Sequence, residues 1–326
     1  MARSHRRVSV TIALVAALLL AAAAAAACSA RATTGSASLA TGAAPTLGAG
    51  EDDADGSGAG ARGASGSDWS RVLAALAWMQ ADTPTRPVVV LLGGSAARES
   101  TISDQSWRDQ IVAEGGPETL AWNMGSRNRT MAQNVALVKA LPRGAEAIVY
   151  IGVNLGSFTS AQKTASITLP SPAPASSPSL QQPHQYSTST GILPTTKKKA
   201  LVRAWRADRY PVFTRNFRTS AAVLQTLIRV CLARGYRPVL FELPRNTAVI
   251  GSSLSAPTAR YRDKCRVLAA QYKIPWVSFV KAAGLPNGDF YDLWHLVEPG
   301  RTVWQGLLSA KTAALLERYG YDGGGS

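Results

Sequence analysis

Short apolar runs alternate with helix-like stretches along most of this chain, and this alternation limits the fold more than any other feature. Five runs are rich in branched apolar residues and too short for helices, so they predict buried strands. These runs are residues 87–92, 119–123, 147–152, 238–243 and 275–279. Helical spacing marks residues 69–80, 97–113, 130–141, 219–234, 256–272 and 301–319. Alternating strands and helices predict a three-layer αβα sandwich whose five-stranded parallel sheet binds its ligand at the carboxyl ends of the strands.

The first 67 residues differ in composition from the rest of the chain. Residues 1–28 have a basic start, an apolar run and a small-residue end at Cys28, which is typical of a secretion signal. Cys28 resembles the lipidated residue of a bacterial lipobox, although Ala25 replaces the usual leucine. Ordinary cleavage and an uncleaved membrane anchor are the alternatives. Residues 29–67 predict a disordered linker. We therefore expect an extracytoplasmic domain at residues 68–322, secreted or held at the membrane.

Two unusual segments follow the third predicted strand. Residues 159–196 are dominated by Ser, Thr, Pro, Ala and Gln, and this low-complexity insertion is expected to be disordered. Residues 197–218 carry eight Lys and Arg side chains with interleaved aromatic residues. This basic-aromatic segment predicts either a flap that faces the substrate or a membrane, or a solvated helix face without a role.

The formal net charge of the chain is +15, and nearly all of the excess lies in the predicted domain. An exported basic protein is expected to meet anionic polymers and lipid headgroups rather than nucleic acid. An Arg-rich composition bias explains the charge equally well.

Cys231 and Cys265 form an even pair that favours a disulfide outside the cytoplasm, although their positions on predicted helices can forbid one. No cluster of His, Cys and acidic residues suggests a metal site, and no cofactor is expected.

Candidate catalytic residues stand at opposite ends of the predicted domain. Of the three histidines, His5 lies in the targeting segment and His184 in the insertion, which leaves His295. Asp292 precedes His295 by three residues, and Ser95 follows two glycines at the end of the first strand. A serine, a histidine and an aspartate are the parts of a nucleophilic triad. Taken singly, a serine that caps a helix and a structural histidine with a capping aspartate are the commoner interpretations.

Two further loops offer groups that can stabilise negative charge. Gly125 follows the second predicted strand, where a glycine lets a substrate approach the backbone. Asn154 follows the third, and its side-chain amide can donate a hydrogen bond to a developing oxyanion. Each residue alone is also compatible with an ordinary turn.

The order of these residues resembles the four sequence blocks of the SGNH (GDSL-like) hydrolases, over residues 86–319. The matching positions are Gly94-Ser95, Gly125, Gly152-x-Asn154 and Asp292-x-x-His295. The chain departs from the family pattern at Gly94, where an aspartate is common. The resemblance implies a flavodoxin-like fold. It also implies that Ser95 is the nucleophile, that His295 is the base and that Asp292 orients it. The oxyanion hole would consist of the Ser95 and Gly125 N–H groups and the Asn154 amide.

The resemblance also implies an activity. A serine esterase would act on O-acyl esters through an acyl-enzyme, and the residues around His295 look most like the branch that handles O-acyl groups of envelope polymers. The expected substrate is therefore an acylated glycan or lipid of the cell envelope. An O-acyltransferase that uses the same site is one alternative. A catalytically silent, envelope-binding lipoprotein is the other.

Overall fold

A computed structural model describes residues 66–181 and 184–321 of the chain. A five-stranded parallel sheet forms its centre, with the strand order β2-β1-β3-β4-β5. The strands are β1 Val88–Leu92, β2 Leu120–Asn123, β3 Ala147–Val153, β4 Arg237–Glu242 and β5 Trp276–Ser278.

Helices cover both faces of the sheet. They are α1 Gly66–Ala81, α2 Ser95–Arg98, α3 Asp104–Ala113, α4 Met131–Ala140, α5 Thr195–Ala204, α6 Tyr210–Ala233, α7 Thr247–Ile250, α8 Ser255–Tyr272, α9 Val280–Ala283 and α10 Glu298–Tyr319. A π-helical segment, Trp205–Arg209, joins α5 to α6, and short 3₁₀ helices occur at Gly156–Phe158 and Asn287–Asp289.

The side chains of β1 alternate between two hydrophobic clusters, one on each face of the sheet. Val88, Val90 and Leu92 belong to the first cluster, with residues of α1, α4, α6 and α8. Val89 and Leu91 belong to the second, with residues of α3 and α10. A parallel sheet that is covered on both faces needs this pattern. The predicted three-layer αβα fold with flavodoxin-like strand order is confirmed.

Some predicted boundaries were wrong for local reasons. The predicted helix at residues 97–113 is split into α2 and α3, because Ser103 is extended and its Oγ accepts the Ser106 N–H at 3.0 Å, which caps a new helix. The predicted helix at residues 219–234 begins earlier, at Tyr210. The fifth strand is shorter than predicted.

The low-complexity insertion is not the disordered excursion that its composition predicted. Its described residues lie along the domain, and Ile167, Leu169 and Leu180 pack against the first hydrophobic cluster. The Leu180 carbonyl accepts the Asp104 N–H at 2.9 Å, at the start of α3. The polar composition of the segment gave no indication of these few apolar contacts and backbone hydrogen bonds, which attach it to the domain.

The basic-aromatic segment spans α5, the π-helical segment and the start of α6, and one side of it packs against the core. Phe213 and Phe217 are buried in the first hydrophobic cluster. Lys198 is buried as well, and its Nζ donates hydrogen bonds to the Asn287 carbonyl at 3.0 Å and the Phe290 carbonyl at 2.6 Å. Burial lowers the pKa of Lys198, although the Asp292 charge opposes the shift. The flap prediction is therefore wrong for Lys198, Phe213 and Phe217, whereas Tyr210 is exposed.

The predicted disulfide is absent, because Cys231 and Cys265 are free thiols. Both side chains are fully buried in the first hydrophobic cluster, where each acts as a small apolar side chain. Burial raises the pKa of Cys231 to about 12 and raises that of Cys265 as well.

Cys28 and the targeting segment lie outside the described residues. None of the helices within residues 66–181 and 184–321 has the length and apolar character needed to cross a membrane.

Candidate active site

Ser95, His295 and Asp292 form a continuous chain of hydrogen bonds. Ser95 is the first residue of α2, directly after the loop that ends β1. Its Oγ lies 2.8 Å from Nε2 of His295, and Nδ1 of His295 lies 2.7 Å from Oδ2 of Asp292. The structure thus brings together all three predicted triad residues, from positions 200 residues apart in the sequence.

The Asp292 carboxylate is held in its ionised form by the turn that carries it. Its Oδ1 accepts the backbone N–H groups of Trp294 at 2.8 Å and His295 at 2.9 Å. Burial alone would raise the pKa of Asp292, but the His295 charge and these hydrogen bonds lower it below its usual value. An ionised Asp292 accepts a hydrogen bond from the Nδ1–H group of His295, so Nε2 is left without a proton and can accept that of the Ser95 hydroxyl.

A second layer of polar contacts fixes the turn that bears Asp292. Asn246, in the loop after β4, donates from Nδ2 to the Asp292 carbonyl at 3.1 Å and to Asn287 Oδ1 at 2.9 Å. Lys198 binds the Phe290 carbonyl from the other side. Two buried side chains from distant elements therefore hold the backbone around the triad.

Asn154 is oriented with its amide nitrogen available. Its Oδ1 accepts the Ser157 N–H at 3.1 Å and the Ser157 hydroxyl at 3.2 Å, and in the described part of the chain no hydrogen bond occupies its NH₂ group. Leu92 pairs with Ile151, so Asn154 and Ser95 follow the carboxyl ends of neighbouring strands. The Ser95 N–H, at the start of a helix, has no preceding helical carbonyl to bind. These two donors can bind an oxyanion.

Gly125 is explained by packing, and its N–H is not a free donor. That N–H donates to Oδ1 of Asn123 at 2.9 Å. A Cβ at Gly125 would lie 2.4 Å from the backbone nitrogen of Arg98, so no larger residue fits. The oxyanion role expected for Gly125 would require this hydrogen bond to be shared or broken.

Another part of the same loop lies near the turn that carries the nucleophile. The carbonyl oxygen of Arg129 is 4.0 Å from the position that a Cβ would occupy on Gly94. Asn128, just before it, has a left-handed backbone with φ of 57°. The loop after β2 therefore approaches the Ser95 turn at residues 128–129.

Tyr186 is a site residue that the sequence did not predict. Its ring lies over His295, with centroids 4.5 Å apart and an interplanar angle of 32°. Tyr291 stacks on the Tyr186 ring at 4.3 Å. His295 is only 3% exposed, and the Tyr186 ring is one of the groups that cover it. An aromatic residue within a Ser/Pro-rich insertion gives no periodic signal that would have identified Tyr186.

A buried carboxylate fastens the segment that carries Tyr186. Glu99, in the turn after α2, accepts hydrogen bonds from Arg98 Nε at 2.9 Å, Arg301 Nη2 at 2.6 Å and the Gln185 N–H at 3.0 Å, and His184 Nδ1 lies 3.2 Å away. Burial would raise the pKa of Glu99, but the His184 hydrogen bond, the Arg98 charge and the Gln185 N–H lower it to about 2. Arg301 also donates to the carbonyl of Tyr186. His184, placed in the insertion by the sequence, is thus part of this network.

Comparison with known proteins finds likeness in structure only. No protein-family model matches the chain, and no curated protein matches it. The lipase/acylhydrolase of Enterococcus faecalis is 12% identical, with a TM-score of 0.39 over 70% of this chain and 96% of that one. The extracellular lipase of Streptomyces rimosus is 11% identical, with a TM-score of 0.44 over 70% of this chain and 99% of that one. Likeness at this level transfers no activity, so the chemistry must follow from the residues of this chain.

The described residues offer no alternative metal centre. Within residues 66–181 and 184–321, no group of three or more His, Cys, Asp or Glu side chains could hold a metal ion.

Proposed function

We propose that the chain is a serine ester hydrolase of the SGNH type. The observation that carries this proposal is the hydrogen-bonded chain from Ser95 Oγ through His295 to Asp292, with distances of 2.8 and 2.7 Å. Its position at the carboxyl ends of the strands is where α/β folds of this class bind ligands. A nucleophile, a base and an orienting carboxylate in contact are what acyl transfer requires.

The first half of the reaction forms an acyl-enzyme. Ser95 Oγ attacks the ester carbonyl carbon while its proton passes to Nε2 of His295. The Ser95 N–H and the Asn154 NH₂ group bind the negative oxygen of the tetrahedral intermediate. When the C–O bond to the alcohol breaks, His295 gives its proton to the departing oxygen. The acyl group is then esterified to Ser95.

The second half regenerates the enzyme. A water molecule loses a proton to His295 as its oxygen attacks the acyl carbon, and the acid leaves when Ser95 Oγ takes the proton back. Asp292 stabilises the imidazolium that exists at both stages. An alcohol can replace the water, and the product is then a new ester.

The proposed substrate is an O-acylated glycan or lipid of the cell envelope. Support comes from the secretion-signal pattern of residues 1–28 and from the basic composition. Acyl transfer to a sugar hydroxyl is the alternative, because the same acyl-enzyme can pass its acyl group to an alcohol in place of water.

Hydrolysis of 4-nitrophenyl acetate tests the proposal. The purified protein should release nitrophenolate, and a fluorophosphonate that labels active serines should abolish this release. Ser95→Ala should lower the rate on the order of 10³-fold or more and prevent labelling. Ser253→Ala, which changes an exposed loop serine, is the matched control and should behave as wild type. A folded wild-type protein without turnover or labelling would instead support the silent envelope-binding alternative.

A further inference from the structure

A small pocket lies between the loop that follows β4 and the start of α8. Its volume is about 250 Å³, and its lining includes Arg245, Thr247, Ser255, Thr258 and Arg262. Two guanidinium groups and three hydroxyls thus surround one small cavity. Nothing in the reaction described above uses these side chains.

The two arginines are not satisfied by the carboxylate that they face. Arg245 Nη1 is 3.8 Å from Glu242 Oε1, and Arg262 Nε is 3.4 Å from Oε2. Glu242 already accepts the hydroxyls of Tyr261 and Ser278, each at 2.5 Å. The Nε atoms of Arg245 and Arg262 are buried, and neither has a hydrogen-bond partner among the described residues.

Charge and donor number both point to an anionic ligand. Two positive charges share one carboxylate, so the pocket keeps a net positive charge. Buried donors in folded proteins normally form hydrogen bonds, so two Nε–H groups without one are unusual, even though Arg262 Nε lies within ion-pair distance of Glu242 Oε2. The start of α8 adds little to this site, because the N–H groups of Ser255 and Thr258 already donate to the carbonyls of Ser252 and Leu254, each at 3.1 Å.

The pocket shares a loop with the triad. Asn246 stands between Arg245 and Thr247, and it binds the Asp292 carbonyl through Nδ2 at 3.1 Å and the Leu293 carbonyl through its backbone N–H at 2.9 Å. One short stretch of chain therefore contacts the catalytic turn and lines the pocket. The loop after β4 thus connects the lining of the pocket to the turn that carries Asp292.

We infer that this pocket binds a phosphate group, and that the phosphate belongs to the substrate. Guanidinium forks bind phosphate in a bidentate manner, and the hydroxyls of Thr247, Ser255 and Thr258 can donate to further oxygens of a tetrahedral anion. A carboxylate has fewer oxygen atoms than a phosphate, so it could accept hydrogen bonds from fewer of these donors. The link to the substrate rests on the proposed esterase function, whereas phosphate binding itself does not.

Calorimetric titration with inorganic phosphate tests the site directly. At constant ionic strength with chloride as the background anion, the full chain should bind one phosphate, and Ser95→Ala should bind it equally well. The Arg245→Gln/Arg262→Gln double variant should bind at least tenfold more weakly. Arg266→Gln is the matched control, because it removes one exposed charge from the same helix outside the pocket, and it should retain full affinity.

Three results would overturn the phosphate site: the absence of saturable binding, equal affinity in the double variant, or acetate binding as tight as phosphate. If the double variant does not fold, Arg262→Lys replaces it, since this change keeps the charge and stem but removes the fork. A Lys variant that binds phosphate with unchanged affinity would also contradict the inference.

Kinetics test the link to the substrate separately. 1-Acetylglycerol 3-phosphate should be hydrolysed with a kcat/KM at least tenfold higher than 1-acetylglycerol, and the double variant should lose that preference. Equal use of the two esters by the wild type would show that the pocket does not serve the substrate. Phosphate binding without hydrolysis of either ester would refute the esterase proposal and leave the anion site standing.

Discussion

The Tyr186 ring covers the imidazole of His295, with 4.5 Å between the two ring centroids. This contact joins the low-complexity insertion to the catalytic centre. The same segment is fastened to Glu99, in the turn that follows the nucleophile helix. The insertion thus helps to build the site rather than merely interrupting the fold.

Replacing Tyr186 should reveal the contribution of its ring. Tyr186→Ala removes the cover of His295 and should lower kcat/KM for 4-nitrophenyl acetate up to about tenfold, the scale of one aromatic contact. Tyr186→Phe keeps the ring and serves as the matched control, with most of the activity retained. Equal kinetics for the Ala and Phe variants would show that the ring has no positioning role.

Deleting residues 159–196 should impair hydrolysis of even a small ester. The composition alone favoured the opposite outcome, because a polar, Pro-rich segment was not expected to contribute to the core. The deletion removes Tyr186 and the Gln185 N–H that binds Glu99, so the base and the turn after α2 both lose contacts. Wild-type turnover by a folded deletion variant would contradict this interpretation of the segment.

Asn154→Ala should lower kcat with little change in KM. The amide binds the oxyanion of the intermediate more strongly than the carbonyl of the substrate, and the expected loss is about 2–4 kcal/mol of transition-state stabilisation. Ser157→Ala, which removes a donor to Asn154 Oδ1 but leaves the amide, should cost less. A variant that raised only KM would make Asn154 a substrate-binding residue.

Acid should weaken the domain through Glu99. Its pKa in the folded chain is about 2 and its ordinary value is 4.5, so its stabilising effect is complete above about pH 4.5 and is lost as the pH falls towards 2. The free energy of unfolding in urea should therefore decrease over this range, by on the order of 3 kcal/mol from this group. In Glu99→Gln this part of the decrease should vanish, whereas Glu118→Gln, at an exposed carboxylate, should keep it. The same pH dependence in Glu99→Gln and wild type would refute the assignment.

Cys28→Ser should release the protein from membranes if Cys28 is acylated. Two acyl chains hold a protein firmly, whereas an apolar anchor without lipid would be insensitive to the substitution. Fractionation of expressing cells, with the N-terminus of the product determined by mass spectrometry, separates the two cases. Unchanged membrane association with an uncleaved N-terminus would identify an anchor.

The sheet and the triad were predictable because both depend on local patterns. The run around Val90 identifies a strand regardless of tertiary structure, and parallel strands then bring the loops after their carboxyl ends to one edge. Ser95 and His295 could be paired on that basis, before any distance was known.

Tertiary contacts decided the residues that the sequence misassigned. Lys198 was assigned to a charged surface, but it is buried and its Nζ donates hydrogen bonds to two backbone carbonyls. Gly125 was assigned to the oxyanion hole, which stays a prediction, and packing adds a second reason for a glycine because Arg98 leaves no space for a side chain. Arg245 and Arg262 gave no signal, because only folding places them around one cavity. Such contacts between distant segments have no periodic signature in a sequence.

The separation of Ser95 and His295 along the chain affects when the enzyme can act. Their hydrogen bond spans 200 residues, and the histidine follows the last strand of the sheet. A polypeptide still emerging from the ribosome or a secretion channel has its nucleophile long before its base. A product truncated before α10 would also lack Arg301, which binds Glu99. The proposed reactivity of Ser95 towards esters thus requires a chain that has been synthesised and folded at least as far as residue 295.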